Sequence, residues 1–128
     1  MAGTVTVTIT SLGNDKEKIV FSFVGDSAGG SVPATSTGKR ITGYVVRAVT
    51  NPGTPAPTNL WDATITDADG VDIFGGNLAD QSASATLQKL PKLGSTDSPC
   101  FVDSVLTLNI TNNSVNSAKG TVTLFVDK

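Results

Sequence analysis

Residues 4–10 read TVTVTIT, a stretch in which apolar and polar side chains alternate without a break. Since side chains of a β-strand alternate between its two faces, Val5, Val7 and Ile9 share one face and four threonines share the other. The stretch KIVFSFV at residues 18–24 repeats this alternation after a polar turn. The two stretches predict a pair of half-buried β-strands.

The same alternation recurs along the chain, between stretches rich in Gly, Pro, Ser and Asn. An Asp-Gly turn at residues 67–70 predicts a hairpin formed by residues 61–66 and 71–74. About seven or eight mostly antiparallel strands predict one all-β domain over residues 1–128, a β-sandwich or jelly-roll-like barrel. The other strands are expected at residues 39–50, 86–90, 105–110 and 120–126, and a short helix or a loop at residues 77–85.

The composition excludes several kinds of chemistry. The 128 residues include no histidine and one cysteine, Cys100, which we interpret as a small hydrophobic residue. A chain without histidine has neither a Ser-His-Asp triad nor a His-containing zinc site, and one thiol forms no intrachain disulfide. A net charge of −2 with two arginines makes a nucleic-acid partner unexpected. We therefore predict a non-enzymatic protein with no cofactor, metal or catalytic residue.

The sequence shows no sign of targeting to a membrane. Its first residues lack the positive and apolar regions of a signal peptide. No stretch approaches the roughly eighteen apolar residues that a membrane-spanning helix needs. We expect a soluble protein that is made in a cytoplasm and has no membrane partner.

One motif suggests an esterase. The stretch VGDSAGG at residues 24–30 places Ser27 in the Gly-x-Ser-x-Gly pattern of a nucleophile elbow and resembles the motif of hormone-sensitive-lipase-type esterases. The chain has no histidine to deprotonate Ser27, no helical pattern after Gly30, and about half the length of an α/β-hydrolase. We interpret the motif as a loop.

Two further groups of residues have both a structural and a functional interpretation. Asp67, Asp69 and Asp72 have part of the spacing of a calcium loop, but aspartates also stabilise turns through their backbone amides, which we prefer. Trp61 follows a proline-rich loop and is expected to cover one end of the core. With Tyr44 it is alternatively a stacking platform for a sugar.

A resemblance to a known family covers nearly the whole chain. It rests on TNPG at residues 50–53, WDATITDADGVD at 61–72, the glycines at 75–76, and the closing stretch from LTL at 106–108 to GTV at 120–122. These features resemble small virion structural proteins of tailed bacteriophages. The resemblance implies a capsid decoration (cement) protein, a β-domain on the outside of the head that is often a trimer. It assigns no functional residues, so the partner interface is unknown at this stage.

We therefore expect a phage virion protein that binds and stabilises the head shell from outside. Its partners would be the major capsid protein and copies of itself, with a homotrimer favoured, after synthesis in the cytoplasm of the host bacterium. Strand faces rich in Thr and Ser suit wet, polar contacts that are repeated many times, and assembly would cover edges that charge protects poorly. Alternatives are a tail or head–tail connector protein and a carbohydrate-binding module that uses Trp61 and Tyr44.

Overall fold

The computed structural model describes residues 1–128, and all of its regular elements are β-strands. Seven of the eleven strands have five or more residues, and the other four are short pieces of two or three. The predicted all-β class is thereby confirmed. The strands are β1 (Thr4–Ser11), β2 (Lys16–Val24), β3 (Thr35–Ser36), β4 (Ile41–Pro52), β5 (Asp62–Thr66), β6 (Leu87–Lys89), β7 (Lys92–Leu93), β8 (Thr96–Asp97), β9 (Cys100–Ser104), β10 (Thr107–Thr111) and β11 (Lys119–Asp127).

The strands form two main antiparallel sheets. The larger sheet has the order β1-β2-β11-β4-β6, and β9 pairs with β4 as well. Both β6 and β9 lie along the edge of β4 that faces away from β11, and the small separate β7–β8 hairpin comes between them in the sequence. The smaller sheet has the order β3-β10-β5. No helix is present, and so none that could span a membrane.

The two sheets enclose a single hydrophobic core. Alternate residues of β2 and β11 point into it, as the period-two patterns of these strands predict. The register of β11 shifts against β4 between Phe125 and Val126, so that both Val45 and Ala48 of β4 face inward. The central residues with no exposed surface include Ile19, Phe21, Phe23, Ile41, Val45, Trp61, Ile65, Leu108, Val122 and Leu124.

Phe23 joins the two sheets at one end of this core. Its ring lies edge-on to the ring of Trp61, with 5.4 Å between the centroids. Across the β2–β11 ladder Phe23 is opposite Gly120, and a Cβ atom at Gly120 would lie 2.6 Å from Phe23 Cζ. A glycine is therefore needed in β11 for the Phe23 ring to reach Trp61.

The predicted second strand of the hairpin, at residues 71–74, is wrong. The turn forms, but its return is a single bridge between Thr66 and Asp72. Ile73 and Phe74 are consecutive and both buried, which the alternation of a strand does not allow. The chain turns away through residues 75–76. The strand that pairs with β5 is therefore β10 and not the predicted strand at residues 71–74.

Of two other segments, one forms a strand that the sequence did not predict, and the other adopts one of two predicted conformations. Residues 100–104, which we did not predict as a strand, form β9 on the edge of β4. Residues 77–85 form a loop of turns, one of the two predicted possibilities. A buried Gln81 fixes this loop, because Thr50 Oγ1 donates to its Oε1 at 2.7 Å and its Nε2 donates to Ala79 O at 2.9 Å.

The contact between Gly120 and Phe23 is testable by a double-mutant cycle. We expect Gly120→Ala to lower the free energy of unfolding by about 1–3 kcal/mol, because the added methyl overpacks against the Phe23 ring. In a Phe23→Leu background the same change should be clearly less harmful, because the smaller side chain leaves room for the methyl. Urea denaturation of the unmodified protein, the two single variants and the double variant measures the coupling free energy between the two residues. Additive losses would show that the two residues do not compete for this space.

Candidate functional site

An exposed aromatic pair stands out on the outer face of the larger sheet. Tyr44 of β4 and Phe101 of β9 are directly opposite each other in the antiparallel ladder. Their ring centroids are 5.3 Å apart at an interplanar angle of 67°. Tyr44 is 51% exposed and Phe101 is 57% exposed, although each is a large apolar ring. We call these two residues the aromatic patch.

A charged cluster lies next to the aromatic patch, formed by Arg40 directly before β4, Thr42 of β4 and Asp103 of β9. Arg40 holds Asp103 with two hydrogen bonds, from Nε to Oδ1 at 2.6 Å and from Nη2 to Oδ2 at 3.1 Å. Thr42 Oγ1 donates to Asp103 Oδ1 at 2.8 Å. The Arg40 and Thr42 hydrogen bonds lower the pKa of Asp103 to about 2. Asp103 is thus an anion at neutral pH, and it holds the Arg40 guanidinium beside the patch.

A cleft of about 370 Å³ borders the aromatic patch, and Arg40 and Thr42 of the charged cluster also line it. Its wall includes Glu17, whose side chain is only 4% exposed. Lys39 Nζ lies 3.1 Å and Lys128 Nζ 3.6 Å from Glu17 Oε2, so two ammonium groups compensate one buried carboxylate. The lysine side chains are themselves about half exposed and leave cationic groups at the rim of the cleft.

Ser27 lies in an exposed loop and not in a nucleophile elbow. Its Oγ accepts a hydrogen bond from the amino group of Met1 at 2.6 Å. No helix follows it, so the strand–turn–helix geometry that exposes a catalytic serine is not formed.

The aspartates of the 67–72 turn bind backbone amides. Asp67 Oδ1 accepts from the N–H groups of Asp69 and Val71 at 2.9 and 3.0 Å. The two carboxylate oxygens of Asp72 accept from Phe74 and Gly76. The turn interpretation of Asp67 and Asp72 is therefore confirmed, while Asp69 is exposed at the tip. No three acidic or thiol side chains come together as a metal-binding group.

Trp61 and Cys100 belong to the core. Trp61 has no exposed surface, and its Nε1 donates to Ser82 O at 3.2 Å, so its ring offers no face to a sugar. The expectation that Trp61 covers one end of the core is confirmed. Cys100 is buried, and burial raises the pKa of its thiol. Of the two residues of the predicted platform, only Tyr44 is on the surface.

Sequence reasoning did not find Phe101 or the Arg40–Asp103 pair. Phe101 and Asp103 alternate with the buried Cys100 and Val102, which is the pattern of a half-buried strand. That alternation could have predicted a strand at residues 100–104. It is a weak signal, because the stretch is short and directly follows Pro99. Only the pairing of β9 with β4 brings Phe101 to Tyr44.

Comparison of the sequence with known families and curated proteins does not assign the chain to a family. No protein-family model matches the chain, and no curated protein is significantly similar to it.

The pKa of Asp103 gives a pH-dependent test of the charged cluster. Its folded-state pKa of about 2 lies below the roughly 3.9 of an unfolded chain. Its contribution to stability is therefore present above about pH 4 and disappears as the pH falls towards 2. An NMR titration should show the midpoint near 2 and a rise towards the ordinary value in Arg40→Gln. Lys39→Gln serves as the control, and a titration that Arg40→Gln leaves unchanged would contradict the assignment.

The burial of Trp61 predicts a loss of stability on truncation. We expect Trp61→Ala to lower the free energy of unfolding by about 3–5 kcal/mol, because it removes a fully buried ring and its edge contact with Phe23. Tyr44→Ala, which truncates an exposed ring, should have a much smaller effect. Thermal and urea denaturation measure both variants. If Tyr44→Ala lost as much stability as Trp61→Ala, Trp61 would not be a central core residue.

Proposed function

We propose that this protein is a non-enzymatic structural protein of a tailed-phage virion, a capsid decoration protein that binds the outside of the head shell. The resemblance of its turns and strands to such virion proteins suggests this class. The observation that supports a binding role is the aromatic patch, two exposed rings on paired strands with an arginine beside them.

The aromatic patch has the properties of a protein-binding hot spot. Tyr and Arg are the residue types, with Trp, that most often dominate interface energies. Tyr44 and Phe101 already contact each other, so little side-chain freedom is lost when a partner covers them. Arg40 is oriented by two hydrogen bonds to Asp103 before any partner arrives. The patch is therefore preorganised for docking.

The surrounding surface suits a contact that is repeated over a shell. One row across the outer face of the larger sheet is uncharged, with Thr8 of β1, Val20 of β2 and Thr123 of β11 side by side, while Lys18 and Lys119 lie nearer its ends. Such a face gives polar, wet contacts of modest strength. Where many copies bind one particle, modest contacts suffice to reinforce the shell.

The proposal is tested by adding the purified chain back to phage particles that lack it. We expect the chain to co-sediment with the heads and to raise the temperature at which they release DNA. Tyr44→Ser together with Phe101→Ser should weaken this binding at least tenfold, because hot-spot truncations commonly remove more than 1.4 kcal/mol each.

A matched control removes exposed apolar side chains from elsewhere. Val71 is 56% exposed and Leu93 is 49% exposed, and both are outside the patch. Val71→Ser with Leu93→Ser should bind heads as the unmodified chain does. Binding to tails instead of heads would favour the tail or connector alternative. Absence of binding to any particle would overturn the proposal.

A carbohydrate-binding module remains the second candidate, because exposed aromatic rings also stack on sugars. With Trp61 buried, Tyr44 and Phe101 are the only rings that this function can use on the patch. Titration with a panel of saccharides tests it. Binding that is lost in Tyr44→Ser would support this candidate over the virion protein, and absence of binding would remove it.

A further inference from the structure

The outer edge of β1 has no partner in the fold. Strand β1 is the end of the larger sheet and pairs only with β2. Apart from that ladder, no backbone hydrogen bond involves residues 4–10. One row of main-chain donors and acceptors therefore faces solvent along most of the strand.

This edge lacks the usual protection against pairing. Natural edge strands are blunted by charged side chains, prolines or bulges, and β1 has none of these along its eight residues. Its inward side chains, Val5, Val7 and Ile9, pack against the core but are only partly buried. This apolar row at the end of the larger sheet is therefore left half open.

The sequence of β1 is almost the same when read in reverse. TVTVTIT at residues 4–10 is symmetric about Val7, except that Val5 corresponds to Ile9. In an antiparallel pair of two copies centred on Val7, apolar residues meet apolar residues on the core side and threonines meet threonines on the outer side. No charge is placed opposite a like charge, because the first charged side chain of the sequence is Asp15.

We propose that β1 pairs with β1 of a second copy about a two-fold axis and joins two larger sheets into one continuous sheet. An antiparallel pair about a two-fold axis is isologous, because residue i meets j and j meets i. When it is centred on Val7, residues of the same type meet at all seven positions from Thr4 to Thr10. Val5 then lies opposite Ile9 of the second copy, and Thr6 opposite its Thr8. The pairing covers the free edge and the half-open apolar row together.

This contact differs from the threefold contact that the family resemblance implies. A symmetric strand pair closes at two copies, so by itself it gives a dimer and not a trimer. The inference does not rest on the proposed function, since it concerns the chain alone. It can therefore fail while head binding succeeds, or succeed while head binding fails.

The test measures the mass of the purified chain in solution by analytical ultracentrifugation over a wide concentration range. We expect twice the mass of the 13.1 kDa chain. Thr6 and Thr8 point outward and are exposed, so charges at these positions leave the core intact. Thr6→Lys with Thr8→Lys should weaken the dimer roughly tenfold, because each new lysine is opposite another across the axis.

A charge-swap experiment distinguishes this register from other contacts. Thr6→Glu with Thr8→Glu should also weaken self-association, while an equimolar mixture of the Lys and Glu proteins should form a heterodimer. Ser95→Lys with Thr96→Lys, at exposed positions of the β7–β8 hairpin, is the control and should remain dimeric. A monomeric or trimeric unmodified chain overturns the proposal even if a variant folds poorly. A dimer that both charged variants leave intact overturns it as well.

Discussion

The buried face of the six-stranded sheet is wider than the three-stranded sheet opposite, and this mismatch shapes the core, the surface and the free edge. Alternation in β2, β4 and β11 commits one whole face of the larger sheet to burial, because leaving its aliphatic and aromatic side chains in water is unfavourable. The smaller sheet has only three strands and needs help from Trp61, Ile73, Phe74 and Leu78 to cover that face. At the β1 end of that face, Val5, Val7 and Ile9 stay only partly buried.

The surfaces available for binding follow from this arrangement. The inner face of β4 and β9 is used by the core, so their outward residues, including Tyr44 and Phe101, are free for other roles. The register shift in β4 reinforces this separation, since it keeps Arg47 outward, where it stacks 4.4 Å from the ring of Phe125. The larger sheet thus has a buried face, an outer face with an aromatic patch, and one free edge.

Much of the fold could be predicted because its signals are local. The alternation in TVTVTIT and KIVFSFV depends only on the two-residue period of a strand, and both strands form as expected. The second hairpin strand could not be predicted, because two consecutive buried residues, Ile73 and Phe74, are directed inward by a turn that Asp72 caps. The alternation of apolar and polar residues cannot predict two consecutive buried side chains.

The site was less predictable because it is made by a pairing between distant strands. The sugar-binding alternative pairs Tyr44 with Trp61, whereas in the structure Phe101 lies beside Tyr44 and Trp61 is in the core. Which strand lies beside β4 is decided by how the whole chain fills the core, and residues 91–99 leave the sheet and return before β9 begins. The sequence around Phe101 has no feature that reveals this partner.

The proposed place of this protein on the head can be seen in a cryo-electron microscopy map of the virion that contains it. We expect density for the β-sandwich at repeated positions on the outer surface of the head, with Tyr44 and Phe101 turned towards the shell. Density confined to the tail, or a virion without this chain, would contradict this proposal.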